Sequence, residues 1–263
     1  MHRRLGELAL AVYGVLVIAF LLAPVLLVIP MSLSESTVFE LIPTRPSLTQ
    51  YRRLFTSPEW MEVLWRSVQI ASVAMVIATG VGTLAAMGIS RLPPRARAST
   101  EALFLAPQIV PSVVIAVSAY YVFAAGGLVG TTAGIVMAHA LIALPFVVVL
   151  VRSRLQSIDP DLALASQSLG AGPAKTFLLI TVPQLRFTLI GAAVLAFHVS
   201  FDEVVLALFL TGTRTKTLPV KLWDSILFEV TPILPAISTV VIAVPILLVL
   251  ALALLRRARS TQS

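Results

Sequence analysis

Two adjacent carboxylates, Asp202 and Glu203, interrupt an otherwise uncharged stretch that runs from Phe187 to Thr213. His198 stands one helical turn before Asp202, at i−4 and so on the same face, where the two side chains can pair. An ionisable group inside a long apolar segment is expensive to keep there and points to function by default. One reading is an acidic patch that attracts a cation. The other is a carboxylate pair solvated at a helix end and linked to His198 or Lys216. Tyr120 and Tyr121 lie in another apolar run and offer cation–π faces, although tyrosines in such a run also serve as packing or interface anchors. Nothing else offers covalent chemistry. There is no cysteine, which removes thiolate nucleophiles, disulfides and zinc–thiolate sites. No H-E-x-x-H, G-x-S-x-G or phosphate-binding glycine loop occurs, so the chain carries no recognisable hydrolytic centre and no nucleotide site of its own.

The elements that hold these groups follow from composition. Of the 263 residues, 58% are hydrophobic and 12% charged, against roughly a quarter charged in soluble domains. The net charge of +7 sits in short clusters between apolar runs and not in one stripe or arm, which argues for membrane topology and against nucleic acid. A helix crossing about 30 Å of hydrocarbon needs about 20 apolar residues. Uncharged runs cover Leu8 to Ser34, Ser67 to Ser90, Ala102 to Val151, Phe187 to Thr213 apart from the acidic pair, and Val230 to Leu255. The first is longer than the 7 to 15 or so residues of a cleavable signal core and reads as a retained span. The third is long enough for two spans, with Gly126, Gly127, Gly130 and Gly134 forming a tight turn between them. Six spans are therefore expected, at about 8–31, 67–90, 102–123, 133–151, 187–210 and 233–255, in one all-α transmembrane domain over 1–263 with membrane lipid around it. Gly80, Gly82 and Gly88 permit close helix approach.

Six spans leave both termini on one side. The loops of that side hold twelve basic and four acidic residues, a net of +8, against seven basic and eight acidic, a net of −1, on the other. The positive-inside tendency then places both termini in the cytoplasm. Trp60 and Trp65, just ahead of the second span, suit an aromatic belt at the outer interface. With a helix start near Phe187, Asp202 is 15 residues in, or about 22 Å along the axis, in the outer third of the membrane.

One cytoplasmic loop, 152–186, is long and patterned. Asp159-Pro160 is a helix start, Gly170 a left-handed stop, and Gly172-Pro173 the start of a second short helix that should end near Pro183. Leu162, Ala165 and Leu169 share one face of the first helix, while Gln167 and Ser168 lie elsewhere. Periodicity alone fits either an interfacial helix pair or a knob that docks a partner.

Gly170, nine residues, then Ile180-Thr181-Val182-Pro183 resembles the conserved cytoplasmic loop of the permeases of binding-protein-dependent ABC importers. That family's pattern is Glu-Ala-Ala, three residues, Gly, nine residues, Ile, any residue, Leu, Pro. Ala165, Gly170, Ile180 and Pro183 match it; Leu164 stands in place of the Glu, Ser166 in place of the second Ala, and Val182 in place of Leu. Asp161, three residues before Leu164 on nearly the same face, offers a substitute charge. Ser200-Phe201-Asp202-Glu203-Val204-Val205, Thr211-Gly212 and Thr217-Leu218-Pro219-Val220-Lys221 resemble the spermidine/putrescine, or polyamine, branch. The resemblance implies a type I importer permease fold of six transmembrane helices with a cytoplasmic helix-turn-helix coupling loop. It also implies an inner-membrane subunit that hydrolyses nothing. Its partners would be an ATPase subunit dimer that binds the ATP, a second and distinct permease subunit, and a periplasmic solute-binding protein. A stand-alone secondary transporter or channel is the alternative, and would show an internal repeat, broken helices at the midplane or several buried charges.

Overall fold

The computed structural model describes residues 2–36, 40–159 and 161–260. Among these the chain is helical, with one isolated antiparallel bridge between Ser34 and Pro46. In order the helices are α1 His2–Ser32, α2 Thr49–Thr56, α3 Pro58–Arg91, α4 Pro94–Ile109, α5 Ser112–Ala125, α6 Thr132–Leu155, α7 Asp161–Ser168 and α8 Pro173–Thr176. They continue through a π-helical turn, Phe177–Thr181, into α9 Val182–Phe201, then α10 Val205–Leu210, α11 Leu218–Phe228 and α12 Leu234–Ser260. Five helical stretches are long and apolar enough to cross a membrane, and the bent pair α4–α5 makes six if counted as one span. The chain divides into two compact units, one of residues 1–62 and 224–244, the other of residues 63–223 and 245–263.

In the first unit α1 is apolar and exposed nearly all round, as a lipid-facing span is. The segment after it is tied down by polar groups: Ser47 N–H donates to the Leu33 carbonyl at 2.6 Å, and the Gln50 amide, itself buried, donates to the Ser36 carbonyl at 3.0 Å. The Ser32 and Tyr51 hydroxyls lie 2.7 Å apart. This segment contains α2, which no apolar run announces because α2 is short and amphipathic. The next helix also begins earlier than the expected 67. Pro58 takes a first-turn position, where its missing N–H costs nothing, and the charged Glu59, Glu62 and Arg66 lie within α3. Trp60 is 8% exposed and therefore packs inside the protein, leaving Trp65, at 63%, as the residue that fits the expected belt.

The core of the second unit is built where α3, α6 and α9 lie together. Ala78, Ala86, Ala143, Ala192 and Ala196 are fully buried there around Val147 and Leu185. Small residues let helix backbones approach closely, as membrane helices require in the absence of a hydrophobic drive between them. At Gly82 the approach is obligatory, because an added Cβ would lie 2.8 Å from the Val147 side chain. A second cluster joins Ile70, Ala116, Ile135, Leu206 and Leu210 from α3, α5, α6 and α10.

Two spans depart from the expected continuous helices. Span three, expected over 102–123, is α4 and α5 meeting at a 101° bend. Pro111 explains it: proline lacks the N–H that would continue the ladder and forces the residue before it out of helical space, and Val110 accordingly sits at ψ 133°. Span five, expected over 187–210, ends at Phe201 and restarts at Val205. At its N-terminal end it begins much earlier, because the second loop helix does not stop at Pro183. Pro173 to Phe201 runs as one 29-residue helical stretch. Pro183 therefore lies inside that stretch, and the π-helical turn just before it widens the coil where the proline ring would otherwise crowd the preceding turn.

Candidate functional site

The loop that begins at Arg152 folds into a knob. The Asp159 carboxylate accepts the Asp161 backbone N–H at 2.9 Å, which satisfies one free donor at the start of α7. Pro160 lies outside the described residues. Gly170 has φ +83°, and around it the Ala171 N–H donates to the Ser166 carbonyl at 3.1 Å and the Gly170 N–H to the Gln167 carbonyl at 2.9 Å. That pair of bonds is the Schellman ending, which needs a residue at positive φ. Gly172 then caps α8, with the Thr176 N–H donating back to its carbonyl at 3.0 Å. Ser166, where the resembling family has Ala, puts its hydroxyl 3.1 Å from that of Thr176, joining α7 to α8 through a threonine that is itself buried.

The knob's outward face is apolar. Leu162 is 44% exposed, Leu164 59% and Leu169 90%, with Asp161 and Ala165 exposed beside them. No side chain of α7 is buried. Ile180, half-buried, lies in the π-helical turn, and Pro183 is exposed at the start of α9. The motif positions are thus distributed along the knob and the root of span five, with Asp161, Leu164, Ala165 and Gly170 gathered at its tip.

At the break in span five the two carboxylates separate in role. The Asp202 N–H closes α9 by donating to the His198 carbonyl at 3.0 Å, and its side chain is exposed. Glu203 is half-buried and turns back on the chain: its Oε1 accepts the Leu206 N–H at 2.8 Å, occupying one of the donors that the restart of a helix leaves free. The expected pairing of His198 with Asp202 is not made. His198 Nδ1 is buried with no hydrogen-bond partner among the described residues, whereas the Asp202 side chain is exposed.

Tyr120 and Tyr121 lie on α5, which packs against α10 directly after the break. Their rings stand edge to face with centroids 6.0 Å apart, and Tyr121 is 72% exposed. Two polar pairs escape the sequence reading. His139 Nδ1 and Ser200 Oγ lie 2.9 Å apart across α6 and α9, and Glu101 on α4 pairs with Arg152 at the end of α6. A lone histidine and a lone glutamate beside apolar runs were the only signals of either.

Residues 78–260 match the family described as binding-protein-dependent transport system inner membrane component. The chain is 32% identical over 234 residues to the putrescine transport system permease protein PotI of Escherichia coli K12, covering 85% of this chain and 82% of that one. It is 26% identical over 253 residues to the spermidine/putrescine transport system permease protein PotC of the same strain, covering 96% of each. Among solved structures it is similar to a bacterial ABC transporter involved in import of the acidic polysaccharide alginate, with a TM-score of 0.77 at 12% identity over 97% of this chain and 96% of that one, a likeness of fold. Membrane-length apolar helices and a match over most of the length together show that the chain belongs to the inner-membrane components of binding-protein-dependent transport systems, as a permease subunit of an ABC importer and not its ATP-hydrolysing one.

Proposed function

We propose that this permease forms half of the translocation path for a small cationic organic solute of the polyamine type, and that Asp202 is the carboxylate the solute meets. The observation that supports the reading is the division of labour at the break: Glu203 is spent on the Leu206 N–H, whereas Asp202 is exposed. A carboxylate kept in an interrupted membrane helix without a structural task is costly, and the benefit that offsets such a cost is binding a cation. The putrescine and spermidine/putrescine relatives agree with that charge. The alginate importer does not bear on it, since fold leaves the solute open. Tyr120 and Tyr121, on the helix beside α10, are placed to add cation–π contacts once a second permease closes the path.

In this reading residues 1–263 act as one permease domain, both termini and the 152–186 loop are cytoplasmic, and the knob of Asp161, Leu164, Ala165, Ser166 and Gly170, rooted at Ile180 and Pro183, docks on an ATPase subunit. ATP is bound by a dimer of those subunits, and this chain needs no cofactor. A distinct second permease completes a heterodimer, and a periplasmic binding protein delivers the solute. ATP-driven closure displaces the knob, and the displacement passes up α9, which grows out of the knob without interruption, to the break at Asp202. A stand-alone carrier is the other reading that broken helices recommend. The family match weighs against it.

The test is uptake of labelled putrescine by the complete complex in proteoliposomes. Losing one charge-assisted contact of about 1.5 kcal/mol lowers uptake efficiency roughly tenfold in Asp202→Asn. Glu203→Gln keeps an acceptor for the Leu206 N–H and stays near wild type. Unchanged kinetics in Asp202→Asn, or the larger loss in Glu203→Gln, would reject the assignment.

A further inference from the structure

Glu101 and Arg152 form an ion pair between the middle of α4 and the last turn of α6, with side chains 32% and 11% exposed. A cation in the last turn of a helix is favoured by the helix dipole, which accounts for Arg152 facing the end of α6 but not for its partner. Burying the pair is not an obvious route to stability. Desolvating two charges offsets most of their attraction, and apolar side chains of similar volume serve a core equally well or better. What the pair supplies is a directional tie between two particular elements.

The elements are informative. Arg152 is where the 152–186 loop leaves α6, so it sits at the foot of the knob. Glu101 lies on the helix that ends at the 101° bend, beyond which α5 packs on α10 and so on the far side of the Asp202–Glu203 break. The knob is already continuous with α9, which reaches the near side of that break. The Glu101–Arg152 pair therefore completes a second line from the knob to the break, through two rigid helices and a proline hinge, the kind of element whose two arrangements can carry coupling.

We infer that Glu101 and Arg152 are positioning residues for coupling: they hold α4 to the foot of the knob so that the knob's displacement moves the α4–α5 bend together with α9. The inference rests on the proposed coupling role of the 152–186 loop. Glu101→Gln, Arg152→Gln and the exchanged pair Glu101→Arg with Arg152→Glu are compared in reconstituted complexes holding both permeases, the ATPase and the receptor. Putrescine uptake and ATP hydrolysis are measured together. A coupling contribution at the usual scale lowers uptake per ATP by about fivefold or more in each single variant. Receptor-stimulated hydrolysis persists, and the exchanged pair recovers most of the ratio. A merely structural pair would lower the amount of assembled complex and leave uptake per ATP alone. That result, or single variants that fail to assemble without rescue by the exchange, overturns the inference. Gly170→Val separates the two layers: if it couples normally, the knob reading fails; if it uncouples while Glu101→Gln and Arg152→Gln keep the wild-type ratio, the ion-pair inference alone fails.

Discussion

Replacing Gly170 tests the knob with little risk to the rest of the fold. A Cβ built at Gly170 meets no atom within 4 Å, so a side chain there is opposed by backbone conformation and not by space. At φ +83° a non-glycine residue costs about 1–2 kcal/mol, and a β-branched one more. The chain has one alternative, to abandon the left-handed turn and lose the 3.1 Å and 2.9 Å Schellman bonds, at about 1 kcal/mol each. Both routes come to about 2 kcal/mol, roughly a thirtyfold shift away from the native turn. The eight-residue α7 has no buried side chain and too few turns to hold itself, so that shift is enough to misdirect Leu162 and Leu169.

The loss should rank Gly170→Asn, then Gly170→Ala, then Gly170→Val, following how readily each residue adopts positive φ. Receptor-stimulated ATP hydrolysis in reconstituted complexes reads it, with the yield of assembled complex as the control. Assembly should hold, because the packing of α3, α6 and α9 does not involve the turn. Wild-type stimulation in Gly170→Val would refute the coupling role, and a flat series would refute the conformational argument behind it.

A topology reporter or an impermeant labelling reagent at Lys175 should find it cytoplasmic, as the +8 against −1 asymmetry requires; labelling from outside would invert the orientation. Leu169→Asp, at 90% exposure, should weaken association with the ATPase subunit about tenfold or more in a pull-down titration while leaving the permease folded, since docking energy concentrates in a few apolar anchors. Asp161→Lys should cost about 1 kcal/mol or less in the same assay, the scale of an exposed ion pair, and a larger effect would move the docking energy from the apolar face to charge.

What the sequence made legible was governed by strong constraints. Apolar runs such as Leu8 to Ser34 are readable because hydrocarbon thickness sets their length. A stop at Gly170 is readable because glycine after a short periodic segment is the usual left-handed ending. The 101° bend at Pro111 lies within 50 residues without a charge, so hydropathy does not change where the backbone turns. Pro183 reads as a terminator because proline removes a ladder bond and crowds the preceding turn, yet the π-helical turn over Phe177–Thr181 accommodates it and the helix continues. The short helices α2 and α11 are amphipathic and offer no long run to count. The sequence placed two carboxylates side by side. Only the backbone path shows that one of them serves as a cap.

The interruptions in spans three and five adjoin each other through the packing of α5 on α10, and irregular backbone at membrane depth is tolerated only when its polar groups find partners. The partners are local. Val110 N–H donates to the Ala106 carbonyl at 3.1 Å and Leu206 N–H to Glu203 at 2.8 Å, while Gly130 N–H donates to the Leu210 carbonyl at 2.8 Å. Thr215 Oγ1 closes the set by accepting the Gly212 N–H at 2.8 Å and donating to the Gly130 carbonyl at 3.2 Å. Gly130, at φ +76°, is where this clasp favours glycine, and a Cβ on Gly212 would make a tight 3.3 Å contact with the Gly130 Cα. At the breaks themselves the Val110 N–H and the Leu206 N–H are satisfied locally, and the Gly130–Thr215 clasp ties the turn after α5 to the end of α10. Asp202, at the same break as the Glu203 cap, keeps an exposed side chain, and in the proposed reading that carboxylate meets the cationic solute beside the helices that move to release it.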